Sequence, residues 1–323
     1  MDEFDLIARY FSPLAGRSGL GLLDDAACIT PPTGKDMVVS KDMLVAGIHF
    51  FPDDKPASLA FKALSVNISD LAAKGARPHS YLLGLSLPED MDQIWIEQFA
   101  DGLAEAQKYY NIELIGGDTT STLGPITISV TAIGYVEQGG MVRRNGACID
   151  DRIYVTGTLG DAALALLGIR GECKLYEDLL ECYHRPVVNS VFGQGLCGRA
   201  SASADVSDGL IADIHHICKA SGVGAVVNAS ALPVSANAAR IIKRDSKLAP
   251  LIWSGGDDYK IVFTASAENG CHLKRFAKQT GVKVTEIGKI VAGAGVDLVD
   301  FSGQQVQIGT EGFMHFSKGR RQS

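Results

Sequence analysis

The chain has 323 residues, with 46% hydrophobic, 21% charged, and 37 acidic against 30 basic side chains for a net charge of -7. That length suits two domains better than one core, and the composition is that of a globular protein. No uninterrupted apolar run would span a bilayer and no Lys/Arg block offers a track for a phosphate backbone, so neither membrane nor nucleic acid is expected as a partner.

The N-terminus, Met1-Asp2-Glu3-Phe4-Asp5, lacks the basic region and apolar stretch of a signal peptide, and a cytoplasmic protein is expected. Apolar, β-rich runs near 37-45, 80-87, 112-116 and 126-136 alternate with amphipathic stretches near 58-74 and 91-110, an α/β arrangement. In 58-74, Leu64, Ile68 and Leu71 recur at helical spacing, which turns Asn67 and Asp70 to another side and leaves Asp70 near the C-terminal end of a helix. A carboxylate there opposes the helix dipole unless a cation answers it. The polar, glycine-containing stretch from Glu137 to Asp151 separates the halves, with a boundary near 140, giving domains 1-140 and 141-323. The second half restarts with the strand Arg152-Ile153-Tyr154-Val155-Thr156. It continues with helix-like 161-169 and 209-221 and strand-like 224-228, 259-265 and 282-291, a second α/β or α+β unit.

The seven cysteines are scattered and form no C-x-x-C pair, so neither a disulfide framework nor a zinc site is indicated. There is no G-x-x-x-x-G-K-[ST] loop and no H-R-D catalytic loop. Gly193-Gln194-Gly195-Leu196-Cys197-Gly198 matches G-x-G-x-x-G but follows no convincing strand, and is read as chance. His215 and His216, about 100° apart on a helix, are read as ordinary helix histidines.

The informative pattern is a series of aspartates beside glycine or serine: Asp24-Asp25, Ser40-Lys41-Asp42, Ser69-Asp70, Gly116-Gly117-Asp118, Asp205-Val206-Ser207-Asp208-Gly209 and Gly255-Gly256-Asp257-Asp258. Each alone could be a turn or a cap: Asp208 or Ser207 could cap a helix from Leu210, and Asp118 could close a turn. Together they suit a hard divalent ion, which needs several oxygens, and adjacent glycines admit a triphosphate to the backbone. Phosphoryl transfer between two anions requires that neutralisation. The residues alone support a metal-dependent phosphate enzyme.

Leu44-Val45-Ala46-Gly47-Ile48-His49-Phe50, Val66-Asn67-Ile68-Ser69-Asp70-Leu71-Ala72-Ala73-Lys74-Gly75, Ile115-Gly116-Gly117-Asp118-Thr119-Thr120, Val155-Thr156-Gly157-Thr158-Leu159-Gly160-Asp161 and Asp205-Val206-Ser207-Asp208-Gly209-Leu210 resemble, in order and spacing, the thiamine-monophosphate kinase family. The resemblance runs from Phe4 to the ending Gly312-Phe313-Met314-His315-Phe316. It implies a two-domain fold like that of aminoimidazole ribonucleotide synthetase: an N-terminal α/β domain that pairs in a homodimer, a C-terminal α+β domain, and the nucleotide in a cleft between them. It implies direct transfer from ATP to thiamine phosphate with Mg²⁺ as cofactor, giving thiamine diphosphate and ADP. By position, Asp25, Ser40, Asp42, Asp70, Asp118, Asp205 and Asp208 match metal-site residues, the five aspartates Asp25, Asp42, Asp70, Asp118 and Asp208 acting in catalysis through the metal. Gly117, Asp118, Arg144 and Ser207 match ATP contacts, and His49, Asp257 and Phe313 match the thiamine phosphate site.

The chain departs from the family pattern at a few places. Leu23 replaces a glycine before the first acidic pair, Lys41 a threonine and Asp257 a glutamate, and Asn189 stands where arginine is common. Lys41 is a cation rather than a ligand. Another ATP-using synthetase of the superfamily and a non-catalytic nucleotide-binding paralogue remain the alternatives.

Overall fold

The computed structural model describes residues 3–308 of the chain. They form two compact units: the first comprises the chain up to Val142 together with His184–Gly198, the second Arg143–Tyr183 and the residues from Arg199. A single boundary near residue 140 does not anticipate the return of His184–Gly198 to the first unit.

In the first unit a short helix α1 (Glu3–Leu6) leads through irregular helical turns to a four-stranded sheet. Its strands are β1 (Lys35–Val45), β2 (Arg77–Pro88), β3 (Glu113–Thr122) and β4 (Thr127–Glu137), in the order β1-β4-β2-β3. β2 and β3 are parallel and joined through helix α3 (Gln93–Tyr110), while β4 runs antiparallel to both β1 and β2. Parallel neighbours need such a crossover, and a helix supplies it. Asp92 starts α3 by accepting a hydrogen bond from the Ile94 N–H at 2.9 Å, and Asn111 ends it in the left-handed conformation.

Helix α2 (Pro56–Ala73) opens with proline at its first turn and packs on the sheet. Leu64, Ile68 and Leu71 are fully buried as their spacing predicts, but Ser65, Asn67 and Ser69 are buried too. The apolar stripe is only one of the covered sides, because α3 and the short helix α6 (Ser190–Gln194) pack on the others. Asn189 caps α6, accepting from the Phe192 N–H at 2.7 Å. The other face of the sheet stays open along β1, where Met37, Val39 and Met43 are exposed.

The second unit is built on a six-stranded sheet in the order β10-β7-β9-β5-β8-β6. These strands are β5 (Arg152–Thr156), β6 (Ala202–Val206), β7 (Gly224–Asn228), β8 (Lys260–Ala265), β9 (Val284–Val291) and β10 (Gly295–Val299). All neighbours are antiparallel except the β10–β7 pair. Helices α4 (Asp161–Ile169), α7 (Leu210–Ser221), α8 (Ala236–Arg244), α9 (Leu251–Ser254) and α10 (Ala267–Gln279) accompany it, and α5 (Glu177–His184) leads into the returning segment. Among the described residues no helix is long and apolar enough to cross a membrane.

Close approach of α2 and α3 depends on Gly102. A Cβ there would stand 2.2 Å from the carbonyl oxygen of Ala57 and 2.6 Å from its Cα. Gly102→Ala is therefore expected to force the helices apart and cost about 1–3 kcal/mol, despite alanine's better helix propensity, as read from urea unfolding.

Candidate functional site

Along β1 the side chains alternate between faces, and the residues expected at the site divide with them. Val38 and Leu44 are buried, and Ser40 and Asp42 share their face of the strand. The Ser40 hydroxyl donates to the Asp70 carboxylate near the end of α2. The Asp42 N–H donates to Asn67 Oδ1 at 3.0 Å, and Asn67 Nδ2 donates to the Ala63 carbonyl at 3.0 Å, which fixes the amide. Ser40, Asp42 and Asp70 thus meet where β1 crosses α2, and a hydroxyl answers the carboxylate that the helix dipole disfavours.

Lys41 lies on the opposite, open face. There it lines a cavity of about 490 Å³ together with Asp24, Asp25, Gly117, Asp118 and Ser129. Strand register builds this wall: Ser129 on β4 stands opposite Gly84 on β2, which stands opposite Asp118 on β3. The Lys41 ammonium donates to the Ser129 hydroxyl. Asp118 therefore sits within a strand and not in a turn. Gly117 has no room for a side chain, since a Cβ would come within 1.9 Å of the Leu83 carbonyl oxygen. Leu23 has φ -103, which any residue adopts, and a side chain 90% exposed, so the acidic pair after it needs no glycine there. Exposed aspartate oxygens with open space between them are a donor set that a hard divalent cation accepts.

In the second unit Asp208, Asp213 and His216 bring ligand atoms within 4.8 Å of one another. Asp205 is buried in β6. Neither Ser207 nor Asp208 caps α7, whose N-cap is Gly209 with no side-chain bond. Instead Asp213, one turn into the helix, accepts from the Ser207 N–H at 3.2 Å. Burial, then the neighbouring Asp208 charge, push the Asp213 carboxyl up to about 7, with Arg144 opposing. Asp257 takes a left-handed φ of 68, donates its N–H to the Ser207 carbonyl at 2.9 Å and accepts from the Tyr259 hydroxyl at 3.0 Å.

The remaining expected residues are His49 and Phe313. His49 closes the turn after β1, its Nδ1 accepting from the Val45 N–H at 3.0 Å. Phe313 lies outside the described residues. Thus Asp25, Gly117 and Asp118 share one cavity, Ser40, Asp42 and Asp70 gather on the other face of β1, and Arg144, Asp205, Ser207, Asp208 and Asp257 belong to the second unit. His216 was read with His215 as an ordinary helix histidine and Asp213 was not singled out, although the i, i+3 spacing of Asp213 and His216 on a predicted helix was a readable signal.

Residues 23–136 match the AIR synthase related protein, N-terminal domain, and residues 149–300 its C-terminal domain. The chain is 42% identical to the thiamine-monophosphate kinase of Salmonella typhimurium over 98% of each chain. Among solved structures it resembles the thiamine-monophosphate kinase of Stenotrophomonas maltophilia K279a, with 40% identity, a TM-score of 0.84, and coverage of 95% of this chain and 98% of that one. It also resembles AaThiL complexed with AMPPCP and TMP, with 32% identity, a TM-score of 0.79 and 97% of each chain covered.

Asp258, fully enclosed beside this region, accepts from the Gly160 N–H with both oxygens, at 3.0 and 2.9 Å. Burial pushes its carboxyl up from 3.8 to about 8, with the charges of Asp161 and Asp257 adding to the rise and Lys260 opposing it. Between those values the folded state keeps a proton that the unfolded chain has released, so stability falls as pH rises through this window. Asp258→Asn, which keeps an acceptor for Gly160, should flatten that decline. In urea titrations at pH 5 and pH 8 the wild type should lose on the order of a few kcal/mol more than the variant.

Proposed function

The chain belongs to the thiamine-monophosphate kinases of the AIR synthase related family, and from that premise we infer that it moves the γ-phosphoryl group of ATP onto thiamine phosphate, giving thiamine diphosphate and ADP. In this transfer an oxygen of the acceptor phosphate bonds to the γ-phosphorus, and the β,γ-bridging oxygen leaves with its electron pair on ADP. The attacking oxygen is already anionic at neutral pH, so no strong general base is needed.

The observation that carries the reading to this chain's own residues is the cavity in which Asp25, Gly117 and Asp118 stand together on the open face of the first sheet. The glycine leaves its backbone bare to an incoming phosphate, and the two carboxylates would hold Mg²⁺. We assign further metal contacts to Ser40, Asp42, Asp70, Asp205 and Asp208, and ATP contacts to Gly117, Asp118, Arg144 and Ser207. The acceptor is assigned to His49, Asp257 and Phe313. Bound at the carboxylates, Mg²⁺ would neutralise phosphate charge and align the transferred group. Lys41, tied to Ser129, adds one fixed positive charge among Asp24, Asp25 and Asp118, which eases the approach of a polyanion. Arg144 offers a planar, bidentate partner for a phosphate.

We further place the protein in the cytoplasm, where ATP is supplied, and read it as a homodimer. The exposed Met37, Val39 and Met43 on the uncovered face of β1 support the second point. A sedimentation mass of one chain rather than two would remove it.

The deciding experiment incubates the purified protein with ATP, thiamine phosphate and Mg²⁺. Thiamine diphosphate is expected, and a chelator should stop its formation. ATP consumption without that product would favour another synthetase, and nucleotide binding without turnover a non-catalytic paralogue. Asp118→Asn should lower turnover by about 100-fold or more while shifting stability by no more than about 0.5 kcal/mol, because the residue is exposed and its shape is kept. Equal loss of folding and activity would return Asp118 to a structural role.

A further inference from the structure

The segment between β4 and β5, residues 138–151, contains no helix or strand, and Arg144 stands in it with an exposed side chain. A guanidinium carried on a loop keeps a fixed direction only if the backbone beneath it is held. Ser221, the last residue of α7, does the holding. Its Oγ accepts from the Gly146 N–H at 3.1 Å and from the Ala147 N–H at 3.2 Å, and it donates to the Arg144 carbonyl at 3.0 Å. A hydroxyl has one proton and two lone pairs, so every hydrogen bond this one can make goes to Arg144-Asn145-Gly146-Ala147.

Neighbouring contacts fix the two ends of that stretch. The Ser203 N–H of β6 donates to the Arg143 carbonyl at 3.0 Å. Asp151 accepts from the Cys148 N–H at 2.9 Å and from the Ser201 hydroxyl at 2.5 Å. The middle has no slack, since a Cβ on Gly146 would stand 2.2 Å from the Ser201 carbonyl oxygen, and Ala147 is buried. All of these residues belong to the second unit.

Arg144 faces charged company. Its positive charge opposes the rise of the Asp213 carboxyl and, after burial, adds to the lowering of the His216 imidazole. The guanidinium is thus near enough to α7 for its charge to act on both groups. Ser221 follows Asp213 by eight residues, which is about 12 Å of helix. Its own hydroxyl is too far along the helix to share a phosphate with Asp208, so any influence on a nucleotide passes through Arg144.

We propose that Ser221 is a positioning residue for the nucleotide: it holds the backbone of residues 144–147 so that Arg144 presents its guanidinium to a phosphate of ATP. The inference rests on the reading of Arg144 as an ATP contact. Small displacements of a charged group cost binding and rate steeply, which is why a serine that touches no substrate can matter to both.

The test measures binding of the non-hydrolysable ATP analogue AMPPCP to the full chain by calorimetry, with Mg²⁺ present and no thiamine phosphate, and then steady-state turnover. Ser221→Ala should weaken AMPPCP binding about tenfold, and Ser221→Thr, which keeps the hydroxyl, should restore it. Ser221→Cys, whose thiol is a weak donor and acceptor, should give the same change at smaller size. Arg144→Gln should weaken binding by at least as much as Ser221→Ala, and adding Ser221→Ala to Arg144→Gln should cause no further loss. In turnover, Ser221→Ala should raise KM for ATP and leave KM for thiamine phosphate unchanged. The proposal is overturned if Ser221→Ala binds AMPPCP as the wild type does, or if it weakens binding equally in the Arg144→Gln background, which would make Ser221 a purely structural anchor. If Arg144→Gln itself binds as the wild type does, the assignment of Arg144 and this inference fall together. If the binding pattern holds and no thiamine diphosphate forms, the kinase reading fails and the role of Ser221 stands.

Discussion

A strand sends neighbouring residues to opposite faces, and the long helix α2 covers only one face of the sheet of the first unit. Everything specific about the candidate site follows from that pair of constraints. On the covered face, the Ser40 hydroxyl donates to Asp70 and the Asp42 main-chain N–H donates to Asn67, both partners lying on α2. On the open face, Lys41 donates to Ser129 of β4 and lines, with Asp118, a cavity open to a ligand. One tripeptide, Ser40-Lys41-Asp42, therefore serves both a structural crossing and an open cavity. An insertion or deletion of one residue in β1 would exchange the two sets.

The second constraint is charge. The chain carries an acidic excess and gathers Asp24, Asp25 and Asp118 around one cavity of the first unit. Fixed cations relieve part of the repulsion: Lys41 in the first unit, and Arg144 near Asp208 and Asp213 in the second. The buried acids of the second unit show the alternative way out. Asp213 and Asp258 are held where ionisation is disfavoured, and both carboxyls rise toward neutral pH. Exposed carboxylates are left to cations, and enclosed ones to protons and backbone N–H groups.

The segments with strong periodicity were legible before any coordinates. The stretches 37-45, 80-87 and 126-136 became β1, β2 and β4, because alternating or continuous apolar residues have few other ways to be buried. The run at 112-116 was legible only in part, since β3 continues through Gly116-Gly117-Asp118, residues whose own propensity opposes a strand. Pairing with β2 on one side overrides that propensity. β6 was missed for a similar reason: Ala202-Ser203-Ala204-Asp205-Val206 is dominated by small and polar residues, and its extended form is imposed by β8. The return of His184–Gly198 to the first unit also had no local signal, because it is a matter of which surface those residues pack on.

By itself the sequence determined the family, the two α/β-type units and the identity of the aspartates, since these are written in composition, periodicity and the order of short motifs. It could not decide which aspartates share a space. That was settled by strand register, which set Asp118 in line with Gly84 and Ser129, and by helix packing, which gave Asp70 to Ser40. Nor could it show that Asp213 and His216 come together with Asp208. Proximity between residues far apart in the chain is a property of the packed molecule, and burial, on which their chemistry depends, exists only once it has folded.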